Sequence, residues 1–428
     1  MSGKTRKILR GLLILLTLCF VLGAGSADGE HGSADTALVI RPGETVTDSL
    51  EAENAQNYYC FTTKKAGYVT VTFCHARKKT SKASWGLKMA ARGSIDEQGF
   101  FSRFFGLMMT SVAEKGAKSF TTARVGIPAG TYYLRVHSGG TYSGADYTLR
   151  VNFTASLNWE TEPNDEASAA DRILPDTEVS GALIRNTNVY CRPTDCYTFT
   201  LKEDAYGTLI FRHEKLNSSR TLWKVFLEDK AGRRVYSETF TGDSAEKTVS
   251  GLLELPAGKY TLSVSCGLDG SGEAEFSETP YHLMVRLQPD ETTASGGVYS
   301  LDHAGKTATL KAPEKKTAVS LTVPATVRVN GIRYRVTAIA DAACRGMKQL
   351  KELRIGKYVR QIGRKAFYSC VALKNITLLT KKLKASTVGT NAFRGIAEKA
   401  VVICPEGKAE SYKEMLRTRG MGEKVRFR

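Results

Sequence analysis

The stretch Leu350-Lys-Glu-Leu-Arg-Ile355 returns 23 residues later as Leu373-Lys-Asn-Ile-Thr-Leu378. Upstream, Val336-Thr-Ala-Ile339 returns at the same distance as Val359-Arg-Gln-Ile362. A unit of this length cannot bury its apolar face alone, so successive units stack and share one core. The spacing therefore predicts a solenoid with an open outer surface, which favours a protein that holds a partner over one that transforms a substrate.

The residues around these units carry a family resemblance. Val359-Arg-Gln-Ile-Gly-Arg-Lys-Ala-Phe367, Cys370 and the partial unit Val388-Gly-Thr-Asn-Ala-Phe393 resemble the BspA-like leucine-rich repeats of bacterial surface proteins. The resemblance covers 298–428 and implies a short solenoid of roughly three turns. A helix from Lys408 to Arg419 is predicted to cap it.

A second, longer duplication lies upstream of the repeats. Ile127-Pro-Ala-Gly-Thr-Tyr-Tyr-Leu-Arg-Val136 matches Leu255-Pro-Ala-Gly-Lys-Tyr-Thr-Leu-Ser-Val264 at an offset of 128 residues. Tyr147-Thr-Leu-Arg-Val151 matches Tyr281-His-Leu-Met-Val285 at an offset of 134. Period-two alternation and Pro-Ala-Gly turn signals predict short strands, and therefore a β-sandwich in each copy.

The second copy resembles the bacterial pre-peptidase C-terminal domain, a jelly-roll-like sandwich of secreted proteins. The resemblance rests on Glu160-Thr-Glu-Pro-Asn-Asp165, Asp195-Cys-Tyr-Thr-Phe199 and Leu255-Pro-Ala-Gly-Lys-Tyr260. The first copy resembles this domain less, because it lacks the Glu-x-Glu-Pro-Asn-Asp opening. The predicted fold is mostly β: two jelly-roll-like β-sandwich domains followed by a short leucine-rich repeat solenoid with a C-terminal capping helix. The predicted segments are a signal peptide at 1–27, sandwiches at 28–155 and 156–288, a linker at 289–297 and the repeat domain at 298–428.

The N-terminal segment has the pattern of a secretory signal peptide. Basic residues precede an apolar run from Gly11 to Ala24, and small residues follow it. This run is too short for a comfortable membrane span, although an uncleaved anchor is the alternative. We therefore expect a secreted, extracellular or cell-wall-associated protein with no stable membrane span after cleavage.

Charge is distributed unevenly along the chain. Residues 291–428 carry a net charge of +18, which equals the excess of the whole protein, whereas 156–290 carry −8. Such asymmetry bears on partners more than on fold. The candidate ligand-binding residues of this basic surface are Lys351, Lys357, Arg360, Arg364, Lys365, Lys374, Lys381, Lys382 and Lys384. They predict an anionic cell-wall polymer, a glycan or a host protein as partner, and no nucleic acid, because the chain is exported. The alternative is that these cations only keep the solenoid soluble.

The acidic opening of the second copy is a candidate metal site. Glu160, Glu162, Asn164 and Asp165 offer the hard oxygen ligands that calcium prefers, and related sandwich domains bind calcium at such an edge. The alternative is a solvated turn before the first strand. Because the first copy lacks the cluster, at most one such site is expected, and no other cofactor is predicted.

The first copy carries an apolar insertion. It is ten residues longer than the second copy between Trp85 and the Pro-Ala-Gly turn, and this interval holds Phe100, Phe101, Phe104 and Phe105. Exposed, these rings would form a binding loop. The alternative is that they pack inward as a longer hairpin or a short helix.

The cysteines leave two candidate disulfides open, Cys60 with Cys74 and Cys191 with Cys196. Cys344, Cys370 and Cys404, in the repeat region, are expected to be small buried apolar residues.

No catalytic constellation emerges from the sequence. GxSxG, HExxH and P-loop patterns are absent, and the six histidines are dispersed. The prediction is a secreted or cell-surface, non-enzymatic binding or adhesion protein that engages carbohydrate or protein through its sandwiches and its basic repeats. The alternatives are an extracellular hydrolase, or an accessory subunit of one, whose sandwiches dock substrate, and an inert wall spacer.

Overall fold

The computed structural model describes residues 31–94, 107–184 and 192–428. The predicted signal peptide lies outside these residues, as does Cys191. So do the four phenylalanines of the predicted loop, Phe100, Phe101, Phe104 and Phe105. Within the described ranges, no helix has both the length and the apolar character needed to cross a membrane.

The first copy consists of ten strands in two sheets. The strands are β1 (Leu38–Val39), β2 (Thr45–Asp48), β3 (Gln56–Thr63), β4 (Gly67–His75), β5 (Ser84–Ala91), β6 (Met108–Ala113), β7 (Ser119–Thr121), β8 (Val125–Ile127), β9 (Gly130–Ser138) and β10 (Tyr147–Ala155). One sheet has the order β1-β3-β9-β5-β6, and the other has β2-β10-β4-β7 with β8 also on β4. A short 3-10 helix follows β5 at Arg92–Ser94.

The second copy repeats this arrangement. Its strands are β11 (Asp171–Arg172), β12 (Val179–Gly181), β13 (Thr194–Leu201), β14 (Ala205–His213), β15 (Thr221–Asp229), β16 (Arg234–Thr241), β17 (Lys247–Val249), β18 (Leu253–Leu255), β19 (Gly258–Ser265), β20 (Gly267–Leu268), β21 (Ala274–Glu275) and β22 (Tyr281–Leu287). The sheets have the orders β11-β13-β19-β15-β16 and β12-β22-β14-β17, with β18 on β14 and a separate β20–β21 hairpin. Strand by strand, this is the order of the first copy, so the predicted duplication is confirmed.

In each copy the two sheets face each other over one apolar core. In the first copy, Phe73 of β4 meets Trp85 of the opposite sheet with ring centroids 5.3 Å apart. Phe211 and Trp223 make the equivalent contact in the second copy at 6.0 Å. Alternate residues of β4 are buried, as the period-two pattern predicts. This alternation places one row of each strand in the core and the other row outside.

The proposed bridge between Cys60 and Cys74 is wrong. Both cysteines are free. Tyr59 and Phe61 of β3 point into the core, so Cys60 between them points out of that sheet. Phe73 of β4 also points into the core, so its neighbour Cys74 points out of the other sheet. Two side chains on opposite outer faces cannot meet. Cys196 is also free. Cys344 and Cys370 are buried thiols, as predicted, whereas Cys404 is only half-buried.

The C-terminal part contains two further sheets, a short 3-10 helix at Ala385–Thr387 and the single α-helix of the described residues. Its elements are β23 (Glu291–Ala294), β24 (Gly297–Asp302), β25 (Thr307–Pro313), β26 (Ser320–Val323), β27 (Thr326–Val329), β28 (Ile332–Ile339), β29 (Glu352–Ile355), β30 (Gln361–Ile362), β31 (Asn375–Leu378), β32 (Val401–Ile403), β33 (Arg426–Phe427) and α1 (Ala409–Thr418). The sheets have the orders β23-β24-β25-β28-β27, with β30 on β28, and β26-β29-β31-β32-β33. Residues 291–294 of the predicted linker form the edge strand β23. Helix α1 lies where the sequence predicts a helix.

The predicted 23-residue stack is confirmed by the strand register. Leu353 pairs in parallel with Ile376, and Ile339 pairs with Ile362. The apolar residues of each turn are buried in one continuous core, in which the rings of Phe367 and Phe393 stack at 5.2 Å. Parallel stacking of this kind covers one face of every turn and leaves the other face in solvent.

Candidate functional site

Three carboxylates converge inside the second copy. Glu160 and Glu162 come from the segment that precedes β11, and Asp195 comes from β13. One oxygen of each lies within 4.8 Å of the other two, and each residue is at most 7% exposed. We call these three residues the acidic centre. The sequence pointed to Glu160 and Glu162 but missed Asp195, which the fold alone brings to them.

Two tyrosine hydroxyls and one backbone amide hold the acidic centre. Tyr197 donates to Glu160 Oε2 at 2.5 Å, and Tyr281 donates to Asp195 Oδ2 at 2.5 Å. The two hydroxyl oxygens lie 2.6 Å apart. The backbone N–H of Ala182 donates to Glu160 Oε1 at 2.6 Å. These bonds orient the carboxylates toward one another, and they provide no positive charge.

Burial changes the acidity of all three groups. Burial raises the pKa of Glu160 to about 7, against the hydrogen bond from Tyr197, which lowers it. Burial and then the charges of Glu160 and Asp165 raise the pKa of Glu162 well above its usual range. Burial and then the charges of Glu160 and Glu162 do the same to the pKa of Asp195. Like charges in a low dielectric must take up protons or share a cation.

The two other predicted ligands flank the acidic centre. Asn164 is fully buried, and its Oδ1 has no hydrogen-bond partner among the described residues, although its Nδ2 lies 3.5 Å from Asp171 Oδ2. Asp165 is half-buried, and its charge acts on Glu162. A buried amide oxygen without a donor fits a hard cation, as do carboxylates. The residues present therefore match the donor set that calcium takes.

The first copy has different residues at the position equivalent to the acidic centre. Asn57 stands where the second copy has Asp195, and its Nδ2 donates to the hydroxyl of Tyr147 at 2.9 Å. The carboxylate comes from Asp48, which accepts a hydrogen bond from Tyr59. His31 Nε2 lies 3.0 Å from Asp48 Oδ2, and both residues are buried. At this position the first copy therefore has the carboxylate of Asp48 with a histidine beside it.

The predicted basic residues lie on the outside of the repeats. Eight of the nine are exposed; Lys365 is half-buried, with its Nζ 5.7 Å from the ring centroid of Tyr368. Lys351 and Lys374 occupy equivalent places in consecutive turns, because Lys374 N–H donates to Lys351 O at 3.1 Å. Lys357 and Lys382 come from different turns, and both ammonium groups lie over the ring of Tyr358, at 5.2 and 5.5 Å.

This basic surface has little to neutralise it. Residues 353–397 contain ten lysines and arginines and no aspartate or glutamate. Among the described residues, the lysine and arginine salt bridges of the repeat domain lie nearer the C-terminus and involve none of the nine predicted cations. The pairs there are Lys413–Glu410, Arg417–Glu423 and Lys424–Glu398.

The histidines form no catalytic arrangement within the part of the chain that the structure describes. His75 packs against Trp85 in the first copy, and His213 packs against Trp223 in the second, with each Nδ1 near the next carbonyl. These two are equivalent core residues. His282 Nδ1 lies 2.8 Å from Ser180 Oγ across the β12–β22 ladder.

The Ser180–His282 pair lacks the third group that a hydrolytic triad needs. No carboxylate in the described residues hydrogen-bonds to His282, and the nearby Glu178 pairs with Arg212 at 2.6 Å. Burial lowers the pKa of His282. A serine–histidine contact without an orienting carboxylate is a cross-strand pair and not a triad.

Comparison with known proteins bears on the C-terminal part most directly. Residues 330–417 match the family model of the BspA type leucine rich repeat region, in six copies. The leucine-rich repeat prediction is therefore confirmed for this segment. Comparison with curated proteins gives no match.

Similar solved structures cover parts of the chain. A leucine rich cell surface protein from Faecalibacterium prausnitzii A2-165 is 26% identical over 28% of this chain and 38% of that one, with a TM-score of 0.22. The pre-peptidase C-terminal domain of collagenase from Bacillus anthracis is 16% identical over 27% of this chain and 94% of that one, with a TM-score of 0.21. A leucine-rich repeat protein from Bacteroides capillosus ATCC 29799 is 21% identical over 26% of this chain and 98% of that one, with a TM-score of 0.19.

Proposed function

We propose that this chain is a secreted or cell-surface binding protein without enzymatic activity, whose repeat domain holds an anionic partner. The partner is a cell-wall polymer, a glycan or an acidic host protein. The observation that carries the proposal is the basic surface: exposed cations on rigidly stacked turns, in a stretch of 45 residues without an acidic side chain. Positive charges without acidic neighbours produce a positive potential that attracts anionic partners within about one Debye length, about 10 Å at 0.1 M salt.

The two duplicated copies complete the proposed architecture. We assign them as jelly-roll-like sandwiches of the pre-peptidase C-terminal type, which add contacts to carbohydrate or protein and space the repeat domain from its point of attachment. Support comes from the shared strand order of the two copies and from the Glu-x-Glu-Pro-Asn-Asp opening of the second. The hydrolase alternative is disfavoured. A hydrolytic triad needs a nucleophile, a histidine and a carboxylate in contact, and the Ser180–His282 pair has no such carboxylate among the described residues.

The acidic centre is proposed to hold one calcium ion with a structural role. Glu160, Glu162 and Asp195 supply carboxylate oxygens, and Asn164 and Asp165 complete the donor set. A divalent cation would neutralise charges that are otherwise buried together, and it would keep the carboxylates ionised. The first copy is assigned no metal, because Asp48 occupies the equivalent position and His31 already lies beside that carboxylate.

The basic surface is tested by binding of the full chain to immobilised cell-wall and extracellular-matrix preparations at two salt concentrations. We expect binding that weakens as salt rises, since each exposed charge contact contributes on the order of 0–1 kcal/mol and the sum is screened. A variant with glutamine at all nine cations of the basic surface should lose most of this binding. Equal binding by that variant would overturn the proposal, and turnover of a peptide or glycan by the purified chain would favour the hydrolase.

A further inference from the structure

The turn from Ile362 to Val388 is longer than the turn before it, from Ile339 to Ile362. Leu378 pairs with Ile355 at a distance of 23 residues, but Val388 bridges to Ile362 at a distance of 26. The three extra residues therefore fall in 379–387, which we call the lysine loop. It holds Lys381, Lys382 and Lys384, all exposed. Insertions in one repeat of a solenoid map to loops on one face, which is often the face that binds.

The lysine loop is anchored at its base by buried groups. Thr380 is fully buried, and its hydroxyl donates to Val359 O at 2.5 Å. Leu383 is 6% exposed and packs into the repeat core. Its neighbours in the loop are lysines that stay in solvent. The backbone of the loop is therefore held by Thr380 and Leu383, while its lysine side chains stay in solvent. This differs from a flexible charged tail.

Helix α1 holds the lysine loop in place. The Tyr412 hydroxyl donates to Thr380 O at 3.0 Å and accepts from the N–H of Leu383 at 3.3 Å, so it holds the first half of the loop. Arg419 adds a third bond, from its Nη2 to Ala385 O at 2.7 Å. The predicted role of this helix was to cap the solenoid. It also positions the loop that carries the greatest density of lysines.

The turn before the lysine loop adds further cations, Lys357 and Arg360, and together they form a cationic strip. Lys382 reaches back over the ring of Tyr358, which also lies beside Lys357. This strip contains one arginine, Arg360, among its lysines. Lysine is a compact, strongly hydrated charge on a flexible stem, whereas the rigid fork of arginine matches carboxylate and phosphate groups bidentately. Lysine binds phosphate as a point charge, so a lysine-rich strip suits a chain of oxyanions whose positions vary along a polymer.

We infer that the lysine loop, together with Lys357, Tyr358 and Arg360, is the docking strip for a linear polymer bearing phosphate or sulfate esters. The inference rests on the proposed function and gives it a location and a ligand chemistry. Equivalent positions of stacked strands lie about 4.8 Å apart, so a chain along the solenoid axis meets cations from successive turns. Helix α1 keeps these cations within reach of one chain.

The test is binding of the full chain to three probes: heparin as the sulfated polymer, inorganic polyphosphate as the phosphate polymer and poly-L-glutamate as an acidic polypeptide. The main variant replaces Lys381, Lys382 and Lys384 with glutamine. Its control, K311Q/K315Q/K316Q, removes the same charge from exposed positions of the same domain on and after β25. We expect a loss of about tenfold or more with the loop variant, a smaller slope of binding against salt, and little change with the control.

A second variant, Tyr412→Phe, tests the anchoring. It keeps every charge and the buried ring but removes the hydroxyl that bridges Thr380 and Leu383. We expect a several-fold loss of affinity for the polymer, with the thermal unfolding midpoint of the chain measured in parallel. Unchanged affinity would show that helix α1 does not position the loop.

The outcomes separate this inference from the proposed function. Loss of binding in the nine-cation variant but not in the loop variant would overturn the docking strip and leave the proposed function standing. Equal loss in the loop variant and its control would do the same. Preference for poly-L-glutamate would replace the ester polymer with an acidic protein. If none of the probes, cell-wall preparations or matrix preparations binds, both proposals fail.

Discussion

Gly181 stands in the second copy at the strand position that Asp48 holds in the first. Asp48 pairs with Tyr147 across the β2–β10 ladder, and Gly181 pairs with Tyr281 across the β12–β22 ladder. A methyl group on Gly181 would collide with Glu160 Oε2 and with the hydroxyl of Tyr281. The carboxylate that meets the buried tyrosines therefore comes from the strand itself in one copy and from the incoming segment in the other.

Replacing Gly181 with alanine should destabilise the second copy. The added methyl group must displace a buried carboxylate, and overpacking of this kind costs about 1–3 kcal/mol. Urea unfolding of the full chain measures the change. The matched control is Gly251→Ala, where the added carbon meets nothing within 4 Å. Equal stability of the two variants would show that Glu160 does not fill this space.

Removal of calcium should make the stability of the second copy depend on pH. The pKa of Glu160 in the metal-free chain is about 7, against an ordinary value of 4.5. The folded chain keeps this proton where the unfolded chain loses it, so the free energy of unfolding falls as the pH rises from about 4.5 to about 7. This one group contributes on the order of 3 kcal/mol to that fall.

Calcium should remove this dependence, because it favours the ionised carboxylates and binds them with release of protons. The measurement is the thermal unfolding midpoint at pH 5 and pH 8, with chelator and with calcium. We expect the chelator to lower the midpoint more at pH 8. Glu162→Gln should weaken the calcium effect. No response to calcium or chelator at pH 8 would contradict the metal assignment.

Breaking the buried pair of the first copy should be costly and independent of calcium. His31→Ala leaves the buried Asp48 carboxylate without one of its polar partners, which costs about 1–3 kcal/mol. Lys413→Ala is the control, because its partner Glu410 is exposed and such pairs contribute about 0–1 kcal/mol. Chemical denaturation with and without chelator measures both. A His31→Ala loss that calcium restores would show that the first copy also takes a metal.

Removing one ring of the Phe367–Phe393 stack should lower the free energy of unfolding of the repeat domain. Phe367 is fully buried against Phe393, and Phe→Ala at such a site costs about 3–5 kcal/mol. Val371→Ala, at a side chain that is 57% exposed in the same turn, should change stability by less than about 0.5 kcal/mol. Guanidinium unfolding of the repeat domain within the full chain distinguishes them. Similar losses would mean that the turns do not share a core.

Local patterns in the sequence were enough for most of the architecture. The 23-residue spacing predicted that Leu353 and Ile376 stack, and the register confirms it. Alternation predicted the strands of both copies, and a capping helix was expected where helix α1 lies. These features depend on residues close in sequence or on exact repetition, so a single chain displays them. The proposed Cys60–Cys74 bridge failed because sequence distance does not show which sheet face a cysteine occupies.

The repeat, the duplication and the concentration of positive charge toward the C-terminus can all be seen in the sequence. Three contacts appear only in the folded chain: Asp195 joins Glu160 and Glu162, Gly181 makes room for them, and Tyr412 anchors the lysine loop. Each of these contacts joins separate elements through strand register or helix docking. The free energy of such a contact depends on burial and on neighbours that periodicity does not specify.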